Sequence, residues 1–351
     1  MKLVVARTDK LGDVVLSLPV FEYIKRQRPE WQVHAMVASG SVPLVENDPH
    51  VDAVWTYTDT DLSKLETLLV AERFDAAILL YYHKPLARTL RRVKVPRRIG
   101  PLSKWSSWFL LNRGVWQNRS RVKHHERDYN IMLAQKLTGK GGTFADPLIY
   151  ITDGQHEIGS QFLKREQVMA ENVVFVHPGS GGSALNWTPE RYAGVANRMA
   201  KQPDCRVFVT GGPQDMEMVQ AVANQLRPEV RVVANHFPLR DFLGVLSTGD
   251  LLIGPSTGPL HMAAALQLAV VGLFPPLATQ SVQRWGPLGR WSRSLTPGAT
   301  CPARMVCFGE RCRHWNCMSG IGEDEVVGIA TSVLLKRQQE QQRGHPQTGS
   351  E

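Results

Sequence analysis

Two successive rounds of alternating strand-like and helix-like segments constrain this chain more than any other feature. In the first round, apolar runs at 2–6 (KLVVA), 32–37 (QVHAMV), 53–57 (AVWTY), 75–80 (DAAILL) and 96–99 (PRRI) interleave with helical patterns at 13–27, 41–47, 61–72 and 84–92. Strands separated by helix-length segments predict parallel pairing with crossover helices. Residues 139–170 read as an interdomain region, with Gly139-Lys140-Gly141-Gly142, a short strand at 147–151 and a charged helix at 155–169. The alternation then restarts, with strands at 172–176, 206–210, 230–234, 250–253 and 269–274 and helices at 188–201, 213–226, 239–247 and 258–267. The expected architecture is α/β: two Rossmann-like doubly wound domains, 1–153 and 171–321, facing across a cleft. A helix at 322–339 follows, and then a polar tail at 340–351, expected to be disordered because it has little to bury.

The bulk numbers fit that plan. The 351 residues suit two domains of ordinary size, and a 43% hydrophobic fraction supplies two cores. The net charge of +9 predicts an anionic partner. Arg7, Asp9, Lys10 and Asp13 occupy the stretch where a signal peptide would need its apolar core. No apolar run reaches the ~18 residues of a membrane span. The expectation is a cytoplasmic protein whose membrane contact is peripheral and electrostatic.

Three loops carry the chemistry of the second half. The strand at 172–176 runs into His177-Pro178-Gly179-Ser180-Gly181-Gly182, with Thr188-Pro189-Glu190 opening the next helix. Small residues let backbone N–H groups converge on an anion, although a glycine-rich stretch also serves as a plain turn. The strand at 250–253 runs into Gly254-Pro255-Ser256-Thr257-Gly258-Pro259, where Ser256 or Thr257 caps a helix whose N-terminus is an anion site. His261, one turn in, either faces the same anion or is a half-buried histidine. A third loop, Thr210-Gly211-Gly212-Pro213-Gln214-Asp215, follows the strand at 206–210. Ligands of open α/β sheets bind at the carboxyl ends of the strands, so Ser180, Gly181, Gly182, Gln214, Asp215, Ser256, Thr257, Gly258, Pro259 and His261 together predict a nucleotide diphosphate site. No G-x-x-x-x-G-K-[ST] motif occurs, and no G-x-G-x-x-G follows the first strand, so neither a P-loop nor a dinucleotide fingerprint is present.

The first half carries a carboxylate instead of glycines at its first turn, in Arg7-Thr-Asp9-Lys10-Leu11-Gly12-Asp13. Asp13 is either a general base or an ordinary first-turn acid favoured by the helix dipole; Asp9 is the rival base. Residues 84–127 hold 13 Lys and Arg against one acid, Glu126, with Trp105, Trp108, Phe109 and Trp116 interleaved. Guanidinium and ammonium groups recognise phosphate and carboxylate, and the expected contacts to an acidic acceptor are Lys10, Arg88, Arg91, Arg92, Arg97, Arg98, Arg119 and Arg121. Nucleic acid fits the charge, but no nucleic-acid module is visible, and no nucleic-acid partner is expected. Cys301, Cys307, Cys312 and Cys317 lack the tight C-x2-C pairs of common zinc sites, leaving a structural metal or free thiols; no metal or cofactor is assigned.

Three motifs in order, Arg7-x-Asp9-x-Leu11-Gly12-Asp13, His177-Pro178-Gly179-Ser180-Gly181-Gly182 and Ser256-Thr257-Gly258-Pro259-x-His261, resemble the bacterial lipopolysaccharide heptosyltransferase family, glycosyltransferase family 9, over roughly residues 1–335. The resemblance implies a GT-B fold, a nucleotide sugar, usually ADP-heptose, in the C-terminal domain, and a lipopolysaccharide inner-core acceptor on the N-terminal domain. It also implies metal-independent transfer with inversion. Asp13 matches the family's proposed general base, and Thr257, Gly258 and His261 match the segment around the donor diphosphate. Some members carry a lysine shortly before the tryptophan matching Trp187, where this chain has Ala184-Leu185-Asn186, and an aspartate where it has Ser256. Lys10 or another first-domain cation would then meet the phosphate charge. Two other readings stand beside this one: a GT-B transferase using another nucleotide sugar, and a nonenzymatic binder of anionic glycolipid on the same fold.

Overall fold

The computed structural model describes residues 1–344 apart from 59, 140, 170, 171, 183, 184 and 304. The chain divides into two compact units, Met1–Thr152 and Asp153–Glu351. The first contains strands β1 (Lys2–Arg7), β2 (Gln32–Ala38), β3 (Ala53–Tyr57), β4 (Ala76–Leu79), β5 (Arg97–Pro101) and β6 (Arg113–Val115). Its helices are α1 (Leu11–Val15), α2 (Pro19–Gln27), α3 (Leu62–Glu72), α4 (Lys84–Arg92), α5 (Ser107–Leu110) and α6 (Glu126–Thr138). The second contains β7 (Asn172–Val176), β8 (Cys205–Val209), β9 (Arg231–Val232), β10 (Leu251–Pro255), β11 (Ala269–Leu273) and β12 (Ser292–Leu295), with α7 (Asp153–Arg165), α8 (Pro189–Met199), α9 (Met216–Ala223), α10 (Leu239–Ser247), α11 (Gly258–Ala265), α12 (Val282–Trp285) and α13 (Glu323–Gly344).

The sheet orders are β3-β2-β1-β4-β5-β6 and β12-β11-β10-β7-β8-β9, and every pairing is parallel. Counted within each unit, both are the doubly wound order 3-2-1-4-5-6. The order reverses between β1 and β4 in one unit and between β7 and β10 in the other. Such a switch point opens a crevice at the carboxyl ends of the strands. The central strands are apolar on both faces, as a sheet covered by helices on both sides requires: β7, β10 and β11 are buried at every residue.

Several elements differ from the sequence expectation, among them the strand expected at 147–151, which has no regular secondary structure. The helix at 13–27 is broken into α1 and α2, because Pro19 has no N–H to continue the first and sits at the opening turn of the second. The segment 41–47 is instead a 3-10 turn at Ser39–Leu44 containing Pro43. The helix assigned to an interdomain region belongs to the second unit: α7 packs on α10, where a Cβ on Gly159 would lie 2.5 Å from the Gly244 carbonyl oxygen and one on Gly244 would lie 2.2 Å from that of Gln155. Glycine at both positions allows the backbones that approach. The last helix runs through Gly344 rather than ending at 339, so the tail expected from 340 is helical to 344; residues 345–351 lie outside the described residues. Among the described residues no helix is long and apolar enough to cross a membrane.

Candidate active site

Arg7, the last residue of β1, is 4% exposed. A buried guanidinium persists only when its donors are paired, and this one is paired on every side. Its Nε donates to Asp9 Oδ1 at 2.7 Å and its Nη2 to Asp13 Oδ1. Its Nη1 donates to Glu126 Oε1 and Asn130 Oδ1, both at 3.2 Å, on the first and second turns of α6. Burial works against the Arg7 charge; the carboxylates of Asp9, Asp13 and Glu126 outweigh it and raise its pKa above the ordinary arginine value. Asn130 also ties α6 to the turn beside Asp13, donating to Ser17 Oγ at 3.1 Å, while Ser17 Oγ donates to the Asp13 carbonyl at 2.7 Å.

Asp13 therefore sits at the switch point, at the opening of α1, held by one oxygen. Burial pushes its carboxyl up to about 6; Arg7 pulls the other way, and repulsion from Asp9 and Glu126 adds to the rise. Its side chain keeps 15% of its surface, and among the described residues Oδ2 has no hydrogen-bond partner. A carboxylate that is oriented, partly desolvated and still open on one oxygen has the properties of a general base.

In the second unit, β10, β7 and β8 are neighbours, so the three loops expected to hold phosphate do converge on one sheet edge. The loops after β7 and β8 are locked together. His177 Nδ1 lies 3.0 Å from Thr210 Oγ1, and Asp215 accepts from the backbone N–H of Gly181 at 3.3 Å and of Gly212 at 3.1 Å. A Cβ on Gly179 would stand 2.1 Å from the Asp215 carboxyl carbon, so that glycine makes the packing possible. Gly181 (φ +49°) and Gly182 (φ +69°) adopt the left-handed backbone that glycine tolerates without strain. His177 is buried, and burial lowers its pKa to about 4 against the opposing pull of Asp215, 3.8 Å from its Nε2. The third loop opens α11 with Thr257 at the N-cap. The Thr257 hydroxyl turns to the Pro255 carbonyl at 3.3 Å rather than capping, so the first N–H groups of α11 have no side-chain cap. Such an N-terminus accepts an anion. Ser180, Ser256, Thr257, Gly258 and Pro259 are partly exposed there, Gln214 is exposed, and His261 is buried.

The model of the family "Glycosyltransferase family 9 (heptosyltransferase)" matches residues 62–308. The chain belongs to this family. A Haemophilus influenzae relative named "Putative glycosyltransferase" is 29% identical over 86% of this chain and 89% of its own length. "Lipopolysaccharide core heptosyltransferase OpsX" of the same species is 22% identical over 78% of each chain. Among solved structures, Escherichia coli ADP-heptose lipopolysaccharide heptosyltransferase II superposes with a TM-score of 0.80 at 19% identity, covering 96% of this chain and all of that one. The family 9 enzyme of Veillonella parvula superposes at 0.82, 19% identical, over 95% and 97%. These neighbours carry the GT-B fold, and family membership answers the alternative between an enzyme and a nonenzymatic binder: the chain is a glycosyltransferase.

The basic residues expected at the family's acceptor side separate into two groups. Lys10, Arg88, Arg91, Arg92 and Arg121 are exposed, and Arg97, Arg98 and Arg119 are half-buried. Arg97 and Arg98 open β5 and stand at the amino edge of the sheet, opposite Asp13; Arg97 reaches Met1 Sδ at 3.3 Å, and Arg98 donates to the carbonyls of Leu110 and Val95 at 2.9 and 2.7 Å. Arg91 and Arg92 close α4, which starts beside the carboxyl edge and runs away from it; Arg91 donates to the Phe109 carbonyl at 3.1 Å, and Arg92 pairs with Glu66. Arg119 is internal, donating to Glu126, to Gln117 Oε1 at 2.7 Å and to the Leu80 carbonyl at 2.9 Å. It is a second cation on Glu126, so Glu126 bridges Arg119 to Arg7. Asp215, expected to meet nucleotide, ties the two loops together through its carboxylate.

Sequence reading missed Glu126 and Asn130 as site residues and treated Arg7 only as part of a motif. One signal pointed to Glu126: it is the lone acid in a block of 13 cations, and an isolated acid among so many bases has a partner. The four clustered cysteines are free thiols, and backbone N–H groups of Gly309 and His314 donate to Cys307 and Cys312 Sγ at 3.4 Å. Among the described residues no three His, Cys, Asp or Glu side chains are arranged to hold a metal.

Proposed function

We propose that this glycosyltransferase moves heptose from ADP-heptose to the inner core of lipopolysaccharide, without a metal and with inversion, using Asp13 as general base. It would work in the cytoplasm in peripheral contact with an acidic membrane face. The observation that carries the reading is the Asp13 carboxylate: at the switch point of the first sheet, oriented by Arg7, with its pKa pushed up to about 6. A base so placed is about nine-tenths ionised at neutral pH and still takes a proton readily.

In the proposed reaction an acceptor hydroxyl attacks the anomeric carbon as the carbon–oxygen bond to the diphosphate breaks. The hydroxyl proton passes to Asp13 Oδ2 and the bonding pair stays on the leaving diphosphate. Arg7 stabilises the ionised form of Asp13 before the step. On the donor side, the first N–H groups of α11, the loop bearing Ser180, Gly181 and Gly182, and the hydroxyls of Ser256 and Thr257 would take up the charge, with Gln214, Asp215 and His261 beside them. Lys10, Arg88, Arg91, Arg92 and Arg121, exposed on the first unit, would be acceptor contacts.

A second donor is favoured by specific residues. Neither a lysine before Trp187 nor an acid at Ser256 is present, so the site is built differently from those relatives that have them. Thermal shift with a panel of ADP-, UDP- and GDP-sugars separates the readings, because stabilisation rises with the ratio of ligand to Kd. ADP-heptose should give the largest shift; a larger one from another nucleotide sugar replaces the donor and leaves the reaction class.

A further inference from the structure

Residues 105–116 put four large aromatic side chains at the surface of the first unit. Trp105, Trp108, Phe109 and Trp116 are 81%, 54%, 58% and 67% exposed. They are grouped: Trp105 and Phe109 meet edge to face at 5.5 Å between ring centroids, and Trp108 and Trp116 lie at 6.1 Å. The segment beneath them is fixed. Leu110 and Leu111 enter the core, Tyr82 Oη bonds Ser106 Oγ at 2.6 Å, and Leu102 fills the space over Gly114. The aromatic surface is thus presented by the fold. Contiguous apolar exposure of this kind marks an interaction site.

The surroundings select the partner. Arg91 donates to the Phe109 carbonyl from α4, the helix that also carries Arg88; Lys104 precedes Trp105, and Arg113 opens β6, the edge strand that ends just before Trp116. Residues 84–125 contain twelve Lys and Arg and neither Asp nor Glu. The acid brought in from outside, Glu66, pairs with Arg92. A second copy of this chain would bring the same sign of charge to the contact. An anionic bilayer supplies apolar depth for the rings and negative charge for their rim.

We propose that Trp105, Trp108, Phe109 and Trp116, rimmed by Arg88, Arg91, Lys104 and Arg113, dock this enzyme on an anionic lipid bilayer. Trp116 also lines a cavity of about 320 Å³ with Arg121, Lys123, His124 and Tyr129, so the docking surface borders a basic pocket suited to an acidic, lipid-borne sugar. The proposal deepens the membrane contact named above by assigning its surface, and it rests on that reading only for its purpose. Its test uses no sugar nucleotide, so either can fail alone.

The test is flotation of the full chain with phosphatidylcholine vesicles, with and without phosphatidylglycerol. Binding is expected with phosphatidylglycerol, weakening about fivefold for each cation removed in Lys104→Gln/Arg113→Gln and falling with added salt. Trp105→Ser/Phe109→Ser should lower partitioning by on the order of tenfold. Both double variants alter exposed side chains, and circular dichroism melts confirm their folds. In the wild type, lipids brominated on the acyl chain should quench tryptophan fluorescence, less so in Trp105→Ser. The proposal is overturned if the wild type ignores phosphatidylglycerol vesicles, or if the aromatic variant binds as the wild type does. It is also overturned if sedimentation velocity shows a dimer that Trp105→Ser/Phe109→Ser dissolves without any vesicle binding, which assigns the patch to a second copy.

Discussion

Replacing Asp13 by asparagine should make this enzyme more stable and less active at once. The carboxyl is held at about 6 in the folded chain against an ordinary 3.8. The folded state therefore binds this proton more tightly than the unfolded one, so between those two values stability falls as pH rises. Above about 6 the folded state carries the whole cost of the buried charge, about 3 kcal/mol at ~1.4 kcal/mol per pKa unit. Asparagine keeps the shape and offers Arg7 Nη2 a neutral oxygen, and it removes the charge. At neutral pH Asp13→Asn should gain up to about 3 kcal/mol, raising the melting transition of the first unit on a scale of roughly 2–4 °C per kcal/mol. Near pH 5 about half of the difference should remain, because the unfolded carboxyl is still ionised there; it vanishes only as pH falls through 3.8. Loss of the base should lower kcat about 10²–10⁴-fold. Thermal melts at the two pH values and a transfer assay read these outcomes. A variant less stable than wild type at neutral pH, or one retaining transfer to within about tenfold, would remove Asp13 as a destabilising general base.

Further expectations concern both units. In wild type, the rate should rise with pH through about 6 as Asp13 ionises, and a pH profile flat across that range contradicts the assignment. Arg7→Lys cannot reach Asp9, Asp13 and Glu126 together; breaking a buried pair costs about 3–5 kcal/mol, measurable as a drop in the urea midpoint. His177, held near 4 by burial against an ordinary 6.5, binds fewer protons folded than unfolded. Its contribution is full above 6.5 and is lost as pH falls through 4, the opposite sign to Asp13; His177→Gln should flatten that limb in melts of the second unit. Gly179→Ala would drive a methyl into the Asp215 carboxylate, freeing the loops it ties, and calorimetry should show weaker nucleotide-sugar binding.

The doubly wound plan was legible because its core strands are apolar runs: β1, β7, β10 and β11 need no tertiary information to be recognised. Two of the outer strands were not. β6 is Arg113-Gly114-Val115 and β12 is Ser292-Arg293-Ser294-Leu295; each is an edge strand defined by its neighbour rather than by its own pattern. The loops at the carboxyl ends of β7, β8 and β10 were legible from glycine, proline and hydroxyl residues at strand ends. The placement of the basic block was not, because charge was counted along the chain. In space, Arg97 and Arg98 fall at the far edge of the sheet, while Arg119 turns inward to the lone acid Glu126. The partnership of Arg7 with Glu126, 119 positions apart, comes from packing α6 against the end of β1, and no local spacing encodes it.

Inverting heptosyl transfer with Asp13 as base is tested by incubating the purified enzyme with ADP-heptose and lipopolysaccharide inner-core acceptor, with the product read by mass spectrometry and the anomeric configuration of the new linkage by NMR. Addition of one heptose with inverted configuration is expected, abolished in Asp13→Asn. Retention of configuration, or full transfer by Asp13→Asn, contradicts it.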